Sequence, residues 1–283
     1  MSHPTYNILS IAGVDPSGGA GVFADIKAMS ALGTYACGVV TAVTAQNTKG
    51  VFGVIPVPTD FVVKQIDTLF EDVRIDAVKI GMLFDSNLIR SIADRLRYWR
   101  PRYIVLDPVM VAKSGDKLLA DEAVKTLREE LLPITTVITP NLPEAQTLLE
   151  SVDIDSDELM EAAAIDLWKL KKRNGWVYLK GGHREGVDYS EDILYDGRKM
   201  IRLRADRKFT KNTHGTGCTL SSALAALLPQ SSDVPLAARA AKNYITEAIN
   251  HADTLTVGDG HGPVHHFHAL WPNIDQKAMK SMY

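Results

Sequence analysis

The chain has little cysteine: Cys37 and Cys218 are the two thiols in 283 residues. That excludes a disulfide framework and suits a reducing compartment, so a cytoplasmic setting is expected. It has no excess of one charge either. Thirty-one Lys and Arg face 34 Asp and Glu, a net of −3. A nucleic-acid partner would need clustered surplus cations, and none is expected. No apolar run approaches the roughly 18 residues that a membrane helix requires. The opening MSHPTYNILSIAG carries neither a basic leader region nor a long apolar one, so no membrane partner is expected. Pro/Ser-rich linkers, internal repeats and low-complexity tracts are absent, which makes one domain over 1–283 the economical expectation. There is no G-x-x-x-x-G-K-[ST], which excludes a P-loop.

What is there is alternation. Apolar, β-branched runs at 6–12, 38–45, 77–82, 103–106, 136–139 and 176–180 read as strands. Between them lie helical patterns at 22–32, 59–70, 88–96, 122–131, 144–149 and 158–171. In the first, Ile26, Met29 and Leu32 share a face that turns Asp25 and Lys27 elsewhere; in the second, Phe61, Ile66 and Leu69 are apolar positions. Asp196-Gly197 inside 193–200 predicts a hairpin, and a last helix is expected over about 235–251. The fold class is therefore α/β: a central, mostly parallel sheet flanked by helices on both faces, with antiparallel strands added late by the hairpin.

In such sheets ligands bind beyond the carboxyl ends of the strands. Those ends here carry Asp15, Gln46-Asn47, Gly81-Met82, Asp107, Asn141 with Glu144, and Lys180, while Cys218 opens a late helix. The stretch Lys211-Asn212-Thr213-His214-Gly215-Thr216-Gly217-Cys218 feeds a helix of small and aliphatic residues, so free N–H groups and the helix dipole make an anion cradle. Cys218 in that first turn is expected to have its thiolate favoured, which makes it a candidate base. Asp107, ending an apolar strand, could hold Mg²⁺ or accept an alcohol proton. Asn141-Leu142-Pro143-Glu144 fits either a capping box or a carboxylate that steers hydrated Mg²⁺ toward phosphates. Asp25 could bond a substrate amine or face solvent. His265, His266 and His268 lack nearby Cys or acid groups and suit structural or surface positions. Gly19–Ala24 formally matches the dinucleotide G-x-G-x-x-A. The loop before it is long, however, and the next strand ends in Ala45-Gln46-Asn47, without a ribose-binding acid.

Seven blocks in order then carry a resemblance. They are Gly13-x-Asp15-Pro16-Ser17-Gly18-Gly19-Ala20-Gly21, Ala45-Gln46-Asn47-Thr48, Lys79-Ile80-Gly81-Met82-Leu83, Leu106-Asp107-Pro108-Val109-Met110, Thr139-Pro140-Asn141-Leu142-Pro143-Glu144-Ala145, Lys180-Gly181-Gly182-His183 and Asn212-Thr213-His214-Gly215-Thr216-Gly217-Cys218-Thr219. Over residues 6–271 the chain resembles the hydroxymethylpyrimidine/phosphomethylpyrimidine kinases of the ribokinase superfamily. The resemblance implies a ribokinase-like sheet with a small flap, ATP and Mg²⁺, and two successive phosphorylations of 4-amino-5-hydroxymethyl-2-methylpyrimidine in thiamine biosynthesis. It implies a pyrimidine pocket of Gly13, Ala20, Asp25, Gln46, Met82 and Val109. It places Asn141, Lys180, Thr213, Thr216 and Lys242 at ATP, Glu144 and Asp107 at Mg²⁺, and Gly215, Gly217, Cys218 and Asp107 at the transfer itself. It also implies a homo-oligomer, a dimer. Cysteine at 218, where most ribokinase-like enzymes have aspartate, points to the pyrimidine branch and leaves Cys218 and Asp107 both open as the base. The alternatives are a pyridoxal/pyridoxine kinase of the same fold and a pyrimidine-binding protein without turnover.

Overall fold

The computed structural model describes residues 5–110, 119–150, 153–184 and 186–271. The two ends of the single-domain expectation, 1–4 and 272–283, lie outside the described residues, as do the first residues of the stretch read for a leader. The strands are β1 (Asn7–Val14), β2 (Tyr35–Asn47), β3 (Gly50–Pro56), β4 (Ala77–Ile80), β5 (Tyr103–Leu106), β6 (Val137–Ile138), β7 (Trp176–Leu179), β8 (Tyr189–Tyr195) and β9 (Met200–Asp206). The α-helices are α1 (Gly21–Ala31), α2 (Thr59–Asp72), α3 (Ser86–Trp99), α4 (Asp121–Thr126), α5 (Leu142–Leu149), α6 (Asp157–Leu170), α7 (Thr216–Leu227) and α8 (Val234–Asn250).

One nine-stranded sheet runs in the order β3-β2-β1-β4-β5-β6-β7-β8-β9. From β2 to β7 every neighbouring pair is parallel, whereas β3, β8 and β9 pair antiparallel at the two edges. The reason lies in the strand sequences. Ile8 and Leu9, Ala77 and Val78, Ile104 and Val105, and Val137 and Ile138 are successive apolar pairs, and in a pleated strand successive side chains leave by opposite faces. Leu9, Val78, Ile104 and Ile138 enter one core with Ile66, Ile92, Ala145 and Leu167 of α2, α3, α5 and α6. Ile8, Ala77, Val105 and Val137 enter the other with Met29, Leu224 and Ala241 of α1, α7 and α8. A strand buried on both faces cannot alternate polar and apolar, hence the continuous runs.

The α/β expectation holds, with local corrections. β2 is longer than expected, and β3 is an addition: Gly50, Gly53 and Pro56 interrupt its apolar residues and most of its side chains are exposed. The helix expected over 122–131 ends at Thr126 and continues as a π-helical turn over Leu127–Leu131. Phe61 is exposed, and Val62 and Ile66 are the buried residues of α2. The largest correction concerns α1. Asp25 is fully buried rather than turned away, because its carboxylate has a cation waiting for it inside.

Candidate active site

The parallel strands deliver polar side chains to one rim. β5 ends at Asp107, which is fully buried; β7 hands over to Lys180, whose Nζ donates to Asp107 Oδ1 at 2.9 Å. Thr139, just past β6, donates to the same oxygen at 3.0 Å. Asn141 and Glu144 follow. The Asn141 side chain accepts from Glu144 N, and Glu144 Oε2 accepts from Asn141 N, both at 2.8 Å. The capping box, one of the two expected alternatives, is therefore present. It also aims Glu144 inward, with Oε2 3.9 Å from Lys180 Nζ. Capping and site-building are one arrangement.

The N-terminus of α7 closes the rim. Its cap is Gly215 at φ 75°, a left-handed conformation that costs glycine little. A side chain there would also collide with Gly19 O, which an added Cβ would approach to 1.7 Å. At Gly217 an added Cβ would lie 3.2 Å from Lys180 Nζ and 3.5 Å from Asp107 Oδ2, so the helix start sits directly over the ion pair. No side chain caps α7. Among the described residues the N–H groups of Gly217 and Cys218 have no hydrogen-bond partner, since Thr216 N turns back to Thr213 O and the next helical bond runs from Thr219 N to Gly215 O. Thr216 Oγ1 also donates to Thr213 O, at 2.8 Å, which tightens the turn. Two free N–H groups, a helix dipole and an ammonium thus face one space, which suits a phosphate.

The electrostatics correct one expectation. Burial pushes the Cys218 thiol up to about 11, against the pull of the Lys79 ammonium and a Gly21 N–H, with the Asp25 and Asp107 carboxylates adding to the rise. Burial and two anions outweigh the Lys79 charge, so the thiol form is favoured at neutral pH, against the expected thiolate. Burial also pushes at Asp107, but Lys180, Lys79 and the Thr139 hydroxyl outweigh it and hold this carboxyl below its ordinary range. Burial pushes Glu144 up to about 7; Lys180 and the Asn141 N–H oppose the rise and Asp107 adds to it. Beneath them lies the unforeseen floor of the site. Lys79 Nζ donates to both Asp25 oxygens at 2.9 and 2.8 Å, and Ser10 and Ser222 hydroxyls donate to the same carboxylate. A lysine inside the four-residue apolar strand AVKI was the available signal.

The residues expected at the pyrimidine fall into two groups. Gly13 lies against Met82, whose Cε an added Cβ would approach to 2.5 Å, while Ala20, Gln46, Met82 and Val109 are partly exposed. Gln46 Oε1 accepts from Thr44 at 3.3 Å. Asp25 departs from this group: four protein donations occupy its oxygens and no surface is left to an incoming amine. Lys242, expected at the nucleotide, donates to Asp192 Oδ2 at 2.7 Å and Ser190 Oγ at 3.2 Å, and Asp192 Oδ1 accepts from Gly181 N beside Lys180. Thr213 is partly buried in the turn. Of the histidines, His265 and His266 are buried; His266 Nε2 meets Thr219 Oγ1 at 3.0 Å, and burial pushes its imidazole down to about 3. Among the described residues no group of three or more His, Cys, Asp or Glu could hold a metal. The donor set of Asp107 and Glu144 fits an ion such as Mg²⁺, which takes few protein ligands and keeps waters and phosphate oxygens.

Comparison with known proteins decides the family. The family model described as phosphomethylpyrimidine kinase matches residues 15–265. The chain belongs to the phosphomethylpyrimidine kinase family. It is 50% identical over 265 residues to the hydroxymethylpyrimidine/phosphomethylpyrimidine kinase of Escherichia coli, covering 94% of this chain and 98% of that protein. Among solved structures it is similar to a phosphomethylpyrimidine kinase from Clostridium difficile, with TM-score 0.75 and 40% identity over 87% of this chain and all of that one. It is also similar to the pyridoxal kinase of Staphylococcus aureus in complex with AMP-PCP and pyridoxal, with TM-score 0.86 and 31% identity over 96% of this chain and 97% of that chain. Fold and family thus agree with the ordered blocks, and no helix of the described residues is long and apolar enough to cross a membrane.

Proposed function

We infer that this chain is a hydroxymethylpyrimidine and phosphomethylpyrimidine kinase of thiamine biosynthesis, working as one domain. It moves the γ-phosphoryl group of ATP first to the hydroxymethyl oxygen and then to the monophosphate. The observation that carries this is Gly217 over the Asp107–Lys180 pair, in a chain half identical to kinases of that name.

The chemistry follows from the rim. The aminopyrimidine ring packs among Gly13, Ala20, Met82 and Val109, with Gln46 offering a polar edge. Its hydroxymethyl oxygen forms the new O–P bond as the bond from the γ-phosphorus to the leaving ADP oxygen breaks. The N–H groups of Gly217 and Cys218, together with Lys180, carry the charge on the transferring oxygens, while Thr213, Thr216 and Asn141 shape the nucleotide side. Asp107 Oδ2, the oxygen turned toward Gly217, takes the hydroxyl proton; Oδ1 is already held by Lys180 and Thr139. A loose transition state asks little of a base, which lets so acidic a carboxyl serve. Cys218, a neutral thiol, shapes the pocket. In the second transfer the nucleophile is a phosphate oxygen, ionised above a pKa of about 6, and needs no base. Glu144 and Asp107 would hold Mg²⁺ through water, and that ion would neutralise charge on the phosphates. A cytoplasmic setting suits two free thiols. We also propose a homodimer, to be checked by size-exclusion chromatography with light scattering.

The test is mass spectrometry of products formed with ATP and Mg²⁺. Both pyrimidines should gain phosphate. If pyridoxal is phosphorylated and neither pyrimidine is, the second reading, pyridoxal kinase, stands instead; the similarity to the Staphylococcus aureus enzyme is what keeps it in view. Pyrimidine binding with no phosphate transfer to any of the three would favour a binding protein.

A further inference from the structure

The two loops that face each other across the rim come from opposite ends of the chain, and one side-chain pair joins them. Asp15, 3% exposed, and His214 are 199 residues apart, yet His214 Nε2 lies 2.7 Å from Asp15 Oδ2. Each residue organises its own loop. Asp15 gathers the first: Ser17 N and Oγ donate to its carboxylate at 2.9 Å each, Ala20 N donates at 3.0 Å, and Gly18 N bonds the Asp15 carbonyl. Lys27 Nζ pins Gly18 O at 2.9 Å. His214 anchors the second loop. Its N–H donates to Gly262 O, its carbonyl accepts from Val264 N, and it precedes the Gly215 cap. Burial presses the Asp15 carboxyl upward, but the His214 and Ser17 bonds outweigh it and hold it below its ordinary range. The carboxylate is therefore ionised, and His214 Nε2 is the donor.

The contact between the loops leaves no slack. An added Cβ on Gly19 would reach 2.4 Å from His214 Cδ2, and one on Gly215 would run into Gly19 O. Beyond the pair, helices α1 and α7, which begin where these two loops end, pack against each other.

We propose that Asp15 and His214 form a positioning clamp that fixes the pyrimidine-side loop, 13–21, against the phosphate-side loop, 213–218, and so sets the distance between hydroxymethyl oxygen and γ-phosphorus. The clamp rests on the site reading given above. Neither residue touches the reacting atoms. A reacting pair displaced by about 1 Å can lose on the order of 10²-fold in rate, so a bond that sets this spacing has leverage on turnover.

The test compares full-length His214→Phe, which keeps a ring and loses the donor, with His214→Gln, which restores an N–H donor. Measurements are kcat, KM for each substrate, AMP-PCP affinity and thermal midpoint. For His214→Phe we expect kcat on the hydroxymethylpyrimidine to fall by roughly 10- to 100-fold with AMP-PCP affinity nearly unchanged, and His214→Gln to recover most of the loss. Combining Asp15→Asn with His214→Phe should cost little more than the worse single change, because both break the same bond. Wild-type kcat in His214→Phe overturns the clamp. So does a His214→Gln protein as impaired in turnover and as unstable as His214→Phe, which marks a merely structural contact. If His214→Phe does not fold, Asp15→Asn carries the same kcat comparison. Lys180→Met is the reference: if it too keeps full turnover, the site reading itself fails, whereas a dead Lys180→Met beside an active His214→Phe removes the clamp alone.

Discussion

Among the described residues two lysines are fully buried, at opposite ends of the sheet, and their pKa values are pushed in opposite directions. Lys79 lies in β4 near the strand's carboxyl end. Burial presses its pKa down, but the Asp25 carboxylate above all, with Asp107, outweighs burial and raises it above its ordinary value. Lys171 follows α6 and reaches the loop before β6. Its Nζ donates to Leu132 O at 3.0 Å, Thr135 O at 2.9 Å and Thr135 Oγ1 at 2.6 Å, with no carboxylate, and burial pushes its pKa down to about 7. Burial is the same; what faces the amine decides whether the charge stays. At the catalytic end a permanent cation and its counter-ion form the floor beneath the anion cradle. At the far end three acceptors and an amine that holds its proton only about half the time at neutral pH fasten α6 to the loop before β6.

Experiments can break this contrast. Lys79→Met strands the Asp25 carboxylate inside the protein and should lower unfolding free energy by about 3–5 kcal/mol in a urea titration. Adding Asp25→Asn should return a large part of it; a Lys79→Met protein of normal stability would mean that the pair is not a buried charge. Asp107→Asn should cut kcat for the hydroxymethyl transfer by about 10²- to 10³-fold, and less for the monophosphate, whose nucleophile has no proton to lose. Equal losses on both substrates would remove the proton-acceptor role. Lys171→Met should cost about 1–3 kcal/mol, because it takes a donor from the Thr135 carbonyl, and should leave kcat unchanged; any loss of turnover at 25 °C would show that the far end is coupled to the site.

Two further tests are in pH. Glu144 protonates as pH falls through about 7, so the Mg²⁺-dependent kcat/KM should decline below that point, and Glu144→Gln should flatten the limb. Lys171 has its folded pKa depressed from 10.5 to about 7. Between those values the unfolded chain holds a proton that the folded chain does not, so stability should rise with pH across that window and be level below it. The measurement is wild type minus Lys171→Met from pH 6 to about 10; a flat difference would mean that Lys171 keeps its proton when buried.

The fold was legible because its causes are local. Continuous apolar strands alternating with helical periods admit little besides a parallel sheet covered on both faces. β3 escaped because an exposed edge strand of Gly50, Gly53 and Pro56 has no core pattern to read. The site was legible as types: a strand-end Asp107, an N-x-x-E at 141–144, a glycine turn at 215–217. Asp25 was misplaced because helical periodicity treats every carboxylate as a solvent residue, and its partner Lys79 lies 54 residues away. The thiolate at Cys218 was misjudged because the dipole rule is local, whereas desolvation and the Asp25 and Asp107 charges come from elements that sequence does not place beside it.

Residue order alone carries the parallel strands, the family and the chemical inventory of the rim. Tertiary structure decided which groups carry charge. Only packing brings Lys180 to Asp107, Lys79 to Asp25 and His214 to Asp15, and a buried group's proton depends on what stands within a few ångströms of it, however far away in the chain.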